Sequence, residues 1–195
     1  CIRDSLEAAA AEGRGVLLVG GHFTAMDICS QGLSKVVDMD VMYRRNRNPV
    51  WEWLQVTGRQ RYYGSVIERK DIRQTLQRLK AGRIIWYAAD QDYGARRSVF
   101  APFFGVEAAT INATARLAAF NRSPVVFISN YRDLASGTWS VHFHPALENF
   151  PSGDAVADAT RINAIIETAV REHPEQYLWM HRRFKTRPPG DARIY

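Results

Sequence analysis

The sequence predicts an α/β fold in a single domain, with a mainly parallel central sheet and helices on both of its faces. Short apolar runs rich in β-branched residues alternate along the chain with segments of helical periodicity, which is the pattern of such a sheet. A chain of 195 residues, 46% of them hydrophobic, is long enough to bury one core. Because no repeat, linker or low-complexity tract divides it, residues 1–195 are treated as one domain.

The elements follow from local patterns. Apolar, β-branched segments predict strands at 16–20, 36–43, 83–89, 124–131 and 139–145. Ile72, Leu76 and Leu79 recur at helical spacing, and Gly82 follows them as a stop signal. Helices are therefore predicted over 70–82, 110–121 and 154–173.

The start of the chain predicts a fragment. Residues 1–15 lack an initiator Met and resemble the end of a helix that began earlier. No apolar run approaches the ~18 residues that a membrane span needs. We therefore expect a piece of a longer protein, without its N-terminal membrane anchor.

The charge composition of the chain indicates which kinds of binding partner it favours. Lys and Arg number 26 against 20 Asp and Glu, giving a net charge of +6 and a pI near 9.6. This excess favours acidic partners, which include nucleic acid, anionic lipid, phosphorylated substrates and acidic proteins. Cys1 and Cys29 form no spaced framework, which indicates a reduced compartment.

Three polar clusters follow predicted strands. His22 comes after the first strand, Arg44 after the second, and the segment DQDYG at 90–94 after a later one. In an open α/β sheet, chemistry gathers at the carboxyl ends of the strands. These residues are therefore predicted to meet at one edge.

The segment GVLLVGGHFTAMD, residues 15–27, has two interpretations. Thr24 and Asp27 fit a capping box, which would leave His22 in an ordinary loop. Alternatively, Asp27 meets His22 as the chain folds back, fixes its tautomer and favours the imidazolium, making the histidine a general base. Since no G-x-S-x-G nucleophile motif is present, that base would act on a hydroxyl in direct acyl transfer.

The H-x-x-x-x-D pattern is also the first motif of the glycerolipid acyltransferase superfamily. More specifically, the chain resembles the lauroyl transferase branch of the late acyltransferases of lipid A biosynthesis from residue 15 to its C-terminus. The matching stretches are GGHFTAMD, YRRNRNPVWEWLQVTGR, IERKDIR, DQDYG, FAPFFGVEA and PEQYLWMHRRFKTRPPG. One departure is Asp27, where that branch commonly carries glutamate.

The resemblance implies a glycerolipid-acyltransferase-like fold and transfer of a fatty acyl chain from acyl-carrier protein to a hydroxyl of Kdo2-lipid IVA, without a cofactor. His22 and Asp27 would form the catalytic dyad. Asp90 and Arg59 would belong to the same site, with an ion pair between them directing the arginine toward an anionic substrate group. The location would be the cytoplasmic face of an inner membrane, as a single-pass or peripheral protein. An acyltransferase with another glycolipid or glycerolipid acceptor is the alternative.

A basic nucleic-acid-binding module is disfavoured, because no helix-turn-helix, zinc or RNP pattern is present. Asp90 and Asp92 resemble a D-x-D metal motif, but no further carboxylates accompany them, so no metal is expected. The same segment also fits a simple turn. His142 and His144 lack a third ligand and are interpreted as packing residues.

Basic and aromatic residues supply candidate binding surfaces. Arg44 is the best placed to bind phosphate, directly after a strand and beside the predicted site, and Asp92 is grouped with the substrate-binding residues. The other basic groups are Arg45 and Arg47; Arg59 and Arg61; Arg69, Lys70 and Arg73; and Arg182, Arg183, Lys185 and Arg187. A solvated surface is the simpler interpretation of any one of them. Trp51, Trp53 and Trp179 suit either an anionic membrane surface or the core.

Overall fold

The computed structural model describes residues 4–195. The strands are β1 (Val16–Gly20), β2 (Met39–Tyr43), β3 (Val66–Glu68), β4 (Ile84–Ala88), β5 (Ser98–Phe103), β6 (Val106–Ile111), β7 (Val125–Arg132) and β8 (Trp139–Ala146). The helices are α1 (Asp4–Ala11), α2 (Met26–Leu33), α3 (Pro49–Gln60), α4 (Ile72–Lys80), α5 (Ala113–Asn121) and α6 (Ala155–Glu172). Short 3-10 turns lie at Ala95–Arg97, Pro174–Gln176 and Trp179–His181.

Six strands form the central sheet in the order β3-β2-β4-β1-β7-β8. The first five are parallel, and β8 runs antiparallel to β7 at one edge. The strands β5 and β6 form a separate antiparallel hairpin. The predicted α/β class and the mainly parallel sheet are therefore confirmed.

The core lies on both faces of the sheet. In β1, Leu17 and Val19 pack into one cluster with side chains of α4, α5 and α6. Val16 and Leu18 pack into a second cluster with side chains of α1 and α2. Because alternate residues of a strand point to opposite faces, a strand buried on both sides is apolar at successive positions, as β1 is.

Several boundaries differ from the predictions. Residues 110 and 111 end β6, so the predicted helix over 110–121 begins only at Ala113 as α5. The hairpin, β3 and α3 were not predicted. Within residues 4–195, no helix is both long and apolar enough to cross a membrane.

The segment after α6 returns to the end of β1. Leu178 N–H donates to His22 O at 2.9 Å, and Thr24 N–H donates to Gln176 O at 2.8 Å. Phe23 and Tyr177 pair in an isolated antiparallel bridge. The loop that carries His22 is thus held by the C-terminal part of the chain.

Arg183 anchors this returning segment. Its side chain, only 2% exposed, donates from Nη1 to Ala109 O at 2.7 Å and from Nη2 to Thr110 Oγ1 at 2.7 Å and Asn163 Oδ1 at 3.1 Å. Its guanidinium also lies over the ring of Phe103. The solvated-surface interpretation is wrong for this arginine, because its acceptors are inside the domain.

Candidate active site

The centre of the site is a contact between His22 and Asp90. The strands β1 and β4 are neighbours with Gly20 opposite Ala88, so the residues that follow both strands meet at the carboxyl edge of the sheet. His22 Nδ1 lies 2.5 Å from Asp90 Oδ1, and the His22 backbone N–H donates to Asp90 Oδ2 at 2.8 Å. The side chains are 16% and 1% exposed, respectively. The carboxylate therefore fixes both the backbone and the ring of the histidine.

Asp90 is stabilised as a carboxylate despite its burial. Burial acts to raise the pKa of Asp90, but the charge and hydrogen bonds of His22, together with a hydrogen bond from Tyr177, outweigh it and leave the pKa below its ordinary value. Burial and then the charge of Asp90 raise the pKa of Tyr177, which keeps its hydroxyl a proton donor. Asp90 is thus a buried carboxylate whose negative charge faces the His22 ring.

Gln91 lies on the other side of the His22 ring. Its Nε2 is 3.2 Å from His22 Nε2 and 3.2 Å from His181 Nδ1, and Tyr93 Oη donates to its Oε1 at 3.1 Å. Since an amide nitrogen only donates, both ring nitrogens act as acceptors here. His22 then carries its proton on Nδ1, toward Asp90, and presents a lone pair at Nε2. That is the tautomer a general base needs.

His181 packs against His22 with ring centroids 4.5 Å apart. Burial, followed by the charge of His22, lowers the pKa of His181, while Asp90 opposes the shift. A neutral His181 avoids placing a second positive charge beside the imidazolium that His22 forms on accepting a proton.

The His22 ring opens onto a cavity of about 760 Å³. Its wall is strongly basic, and of the described residues that line it none is acidic. The basic lining residues are Arg44, Arg59, Arg69, Lys70, Arg96, Arg97 and Arg116. Apolar side chains, including Met26, Met42 and Leu117, form another part of the wall. The cavity therefore suits a molecule that carries both anionic groups and an apolar chain.

Arg44 and Arg59 both line this cavity, as do His22 and Gln91. The predicted meeting of three strand ends is confirmed, because β2, β4 and β1 are consecutive in the sheet. No ion pair joins Arg59 to Asp90 in the described part of the chain, which corrects that expectation. The Asp90 carboxylate is buried against His22 and Tyr177, whereas Arg59 lies near the end of α3 on another wall.

Asp27 lies in the first turn of α2, exposed to solvent. It lines a separate groove with Arg59 and Tyr63, and the carboxylate in contact with the His22 ring is Asp90. The predicted contact between Asp27 and His22 is therefore wrong, because Asp27 points away from the ring into that groove. The capping-box alternative is wrong, since α2 begins after Ala25 with no side-chain cap. Thr24 instead uses its backbone N–H to bind the returning C-terminal segment.

Asp92 is buried and lies outside the cavity lining. Its Oδ1 accepts from Gly94 N–H and its Oδ2 from Thr186 N–H, both at 2.8 Å. This carboxylate links the turn that carries Asp90 to the C-terminal segment. Within residues 4–195, no group of three or more His, Cys, Asp or Glu is arranged to hold a metal ion.

Comparison with known proteins identifies the family of the chain. Residues 3–186 match the family described as bacterial lipid A biosynthesis acyltransferase. The chain belongs to this acyltransferase family. The resemblance to the late lipid A acyltransferases is thereby confirmed.

Curated relatives carry the same family description. The chain is 37% identical over 193 residues to a lipid A biosynthesis palmitoleoyltransferase of Escherichia coli (strain K12), an alignment that covers 98% of the chain and 63% of the relative. It is 40% identical over 182 residues to the lauroyltransferase of the same strain, covering 92% and 59%. Against the myristoyltransferase of that strain it is 32% identical over 172 residues, covering 88% and 52%. The chain thus spans less than two thirds of these acyltransferases.

Three residues that contact His22 or Asp90 were not singled out from sequence: Gln91, Tyr177 and His181. All three lie inside stretches quoted for the resemblance, DQDYG and PEQYLWMHRRFKTRPPG. The signal was therefore present as an unassigned motif. Only the return of the C-terminal segment to the end of β1 shows which of its side chains reach the histidine.

Of the remaining predictions for tryptophans and histidines, some are wrong and one is confirmed. Trp51 and Trp53 are exposed, so core packing is wrong for both. Trp179 is also exposed, although its Nε1 donates to Pro174 O. His144 packs on Phe127 and lies 3.2 Å from Ser129 Oγ, in agreement with a packing role.

Proposed function

We propose that the protein containing this chain is an O-acyltransferase that moves a fatty acyl chain from acyl-carrier protein to a hydroxyl of the lipid A precursor Kdo2-lipid IVA. The observation that carries the proposal is the His22 ring, held by Asp90 and opening onto a cavity whose charged side chains are all basic. Family membership supports the same reaction.

His22 acts as the general base. The acceptor hydroxyl displaces the Gln91 amide from His22 Nε2, which then accepts the hydroxyl proton as that oxygen attacks the thioester carbonyl. The new C–O bond forms, the C–S bond breaks, and the imidazolium returns the proton to the departing thiolate. Asp90 stabilises the imidazolium through the contact with Nδ1, and Asp27 adds a more distant negative charge at the start of α2. No metal or cofactor takes part.

The basic wall binds the anionic groups of the substrates. Arg44 and Arg59 provide charge for phosphate on the lipid acceptor, and an arginine of the lining stabilises the oxyanion of the tetrahedral intermediate. Asp92 contributes to substrate binding indirectly, by holding the turn between β4 and the C-terminal segment. The net charge of +6 favours encounter with an acidic carrier protein.

The acceptor is amphiphilic and the donor is soluble. We therefore place the reaction at the cytoplasmic face of the inner membrane, with the full protein either single-pass or peripheral.

A transfer assay tests the proposal. The full-length protein is incubated with a panel of acyl-carrier-protein thioesters and Kdo2-lipid IVA, and the product is identified by mass. A product one acyl chain heavier than the acceptor is expected, and His22→Ala should lower its rate by ~10²–10⁴-fold without unfolding the domain. Acylation of a glycerolipid in place of Kdo2-lipid IVA, or a His22→Ala variant with wild-type turnover, would contradict the proposal.

A further inference from the structure

Helix α3 exposes its apolar side chains. Val50, Trp51 and Trp53 are each 63% exposed and Leu54 is 46% exposed, and no residue of the helix is fully buried. At 3.6 residues per turn, these four side chains lie on one broad side, separated only by Thr57 and the small Gly58. The outward side of α3 is thus almost entirely apolar.

The inward side of the same helix is polar. Glu52 accepts a hydrogen bond from Tyr43 Oη at 2.7 Å and another from Asn46 N–H at 2.7 Å. Gln55 and Arg59 line the cavity. A surface helix of a globular domain normally buries its apolar side against the core and exposes its polar side to water. The orientation of α3 is the reverse, which indicates that an apolar phase or partner covers its outer side.

The charges around this side are positive. Arg44, Arg45 and Arg47 precede the helix and Arg61 follows it, and all four are exposed. Arg45 Nε lies 4.0 Å from Glu52 Oε1 and Arg44 also lines the cavity, so Arg47 and Arg61 carry the clearest positive charge at this surface. Glu52, the acidic residue of α3, faces inward, with its side chain 18% exposed. Of the carboxylates nearby, Asp27 lines the groove beside Trp51 and shares it with Arg59.

Apolar side chains bordered by arginines match the layered chemistry of an anionic lipid surface. Tryptophan rings settle at the level of the headgroups, aliphatic side chains enter the acyl boundary, and arginines meet phosphate. An acidic protein would complement the arginines but leave two tryptophans, a valine and a leucine without a match. A second copy of this chain would bring the same positive charges together.

We propose that α3 lies in the interface of an anionic membrane, with the face formed by Val50, Trp51, Trp53 and Leu54 at the acyl boundary. Since Gln55 and Arg59 on its opposite side line the cavity, the helix forms the wall between the lipid and the site. An amphiphilic acceptor then reaches His22 past α3 without fully leaving the membrane surface. This inference concerns membrane contact and requires no turnover.

Vesicle partition tests it. The 195-residue chain is co-sedimented with phosphatidylcholine vesicles that contain or lack phosphatidylglycerol. Binding should be strong only to the anionic vesicles and should weaken as salt rises. Val50→Ser/Leu54→Ser is expected to reduce the partition coefficient by at least ~10-fold, since interfacial binding scales with the apolar area buried. Leu134→Ser/Val156→Ser, which removes two exposed apolar side chains outside α3, is the matched control and should bind like the wild type.

The depth of helix α3 in the bilayer is measured by the quenching of tryptophan fluorescence by lipids that carry bromine on their acyl chains. Quenching should occur in the wild type and largely disappear in Trp51→Phe/Trp53→Phe, which still binds because phenylalanine remains apolar. Absence of binding to anionic vesicles, equal loss in the control pair, or undiminished quenching without Trp51 and Trp53 would overturn the proposal. So would self-association that Val50→Ser/Leu54→Ser abolishes. Transfer to detergent-dispersed acceptor tests the acyltransferase proposal separately.

Discussion

The His22 ring is held at both nitrogens by side chains of the same turn, Asp90 and Gln91. Asp90 provides a charge that strengthens when the imidazolium forms, while Gln91 provides a neutral donor that keeps Nε2 free of a proton. Asp90 therefore favours the protonated His22 ring, and Gln91 favours the neutral ring. Each can be tested by a substitution that preserves its size.

Asp90→Asn is expected to slow acyl transfer by about 10³–10⁴-fold, because loss of the charge and of the imposed tautomer both weaken the base. Asp27→Asn should cause a smaller loss, since Asp27 is exposed in a separate groove and Asn preserves the polarity of the helix start. Turnover of the purified variants, with circular dichroism as a check on folding, measures both. A larger loss for Asp27→Asn than for Asp90→Asn would contradict the assignment of Asp90 as the partner.

Gln91→Glu is expected to move the acid limb of the pH–rate profile to higher pH. A carboxylate at this position cannot donate to Nε2 and stabilises the imidazolium, the form in which the ring cannot act as a base. Gln91→Met, which has neither charge nor donor, is the matched control and should leave the limb near its original position while lowering the rate. An unchanged limb in Gln91→Glu would show that the amide does not face the titrating ring.

The histidine could be predicted from sequence, and its partner could not. His22 and Asp27 are close in the chain, and local spacing was the available guide. Asp90 reaches the ring because β1 and β4 pair in a register that brings Gly20 opposite Ala88. The order of the strands depends on the whole sheet and cannot be predicted from local patterns in a single sequence. The position of the site at the strand ends did follow from the alternation of strands and helices.

Among the elements, the hairpin and α3 show why local patterns failed. The turn between β5 and β6 places Phe104 and Gly105 at positive φ, and the usual Asn-Gly signal of such a turn is absent. Helix α3 carries its apolar residues outward, so its pattern did not indicate a helix packed on a core. In contrast, α6 buries an apolar stripe and α4 packs Leu76 and Leu79 against the core, and both helices were predicted.

The segment after α6 depends on Arg183. Arg183→Met should lower the free energy of unfolding by about 3–5 kcal/mol, because Thr110, Asn163 and the Ala109 carbonyl lose a buried charged donor. Denaturant unfolding measures the change. The matched control is Arg182→Met at the exposed neighbouring position, where a change within about 0.5 kcal/mol is expected. Equal destabilisation by the two substitutions would contradict the anchoring role.

At the scale of the whole molecule, two partly buried histidines make the fold sensitive to acid. Burial is the main cause that lowers the pKa of His144 and of His181. The unfolded chain then binds more protons than the folded one near and below the ordinary histidine pKa of about 6.5, so these groups make stability fall as pH decreases through that range. The lowered pKa of Asp90 acts in the same direction only at a much lower pH, below its ordinary value.

The replacement of both histidines tests this. His144→Gln/His181→Gln should flatten the dependence of the free energy of unfolding on pH between about 7.5 and 5 relative to the wild type. Urea unfolding at a series of pH values provides the measurement. Leu134→Ser, an exposed substitution that alters no titratable group, is the control and should leave the slope unchanged. A double variant whose slope equals that of the wild type would refute the assignment.

The return of the C-terminal segment to His22 has a consequence for the order in which a nascent chain acquires its parts. All six strands of the central sheet are complete by Ala146, and His22 is made before five of them. Tyr177 and His181, which enclose His22, emerge from the ribosome after all six of these strands. The sheet can therefore assemble while its histidine is still open to water, and the finished site appears only when residues 174–183 dock. Release of the chain before that point would yield a folded sheet that lacks the enclosing half of its site.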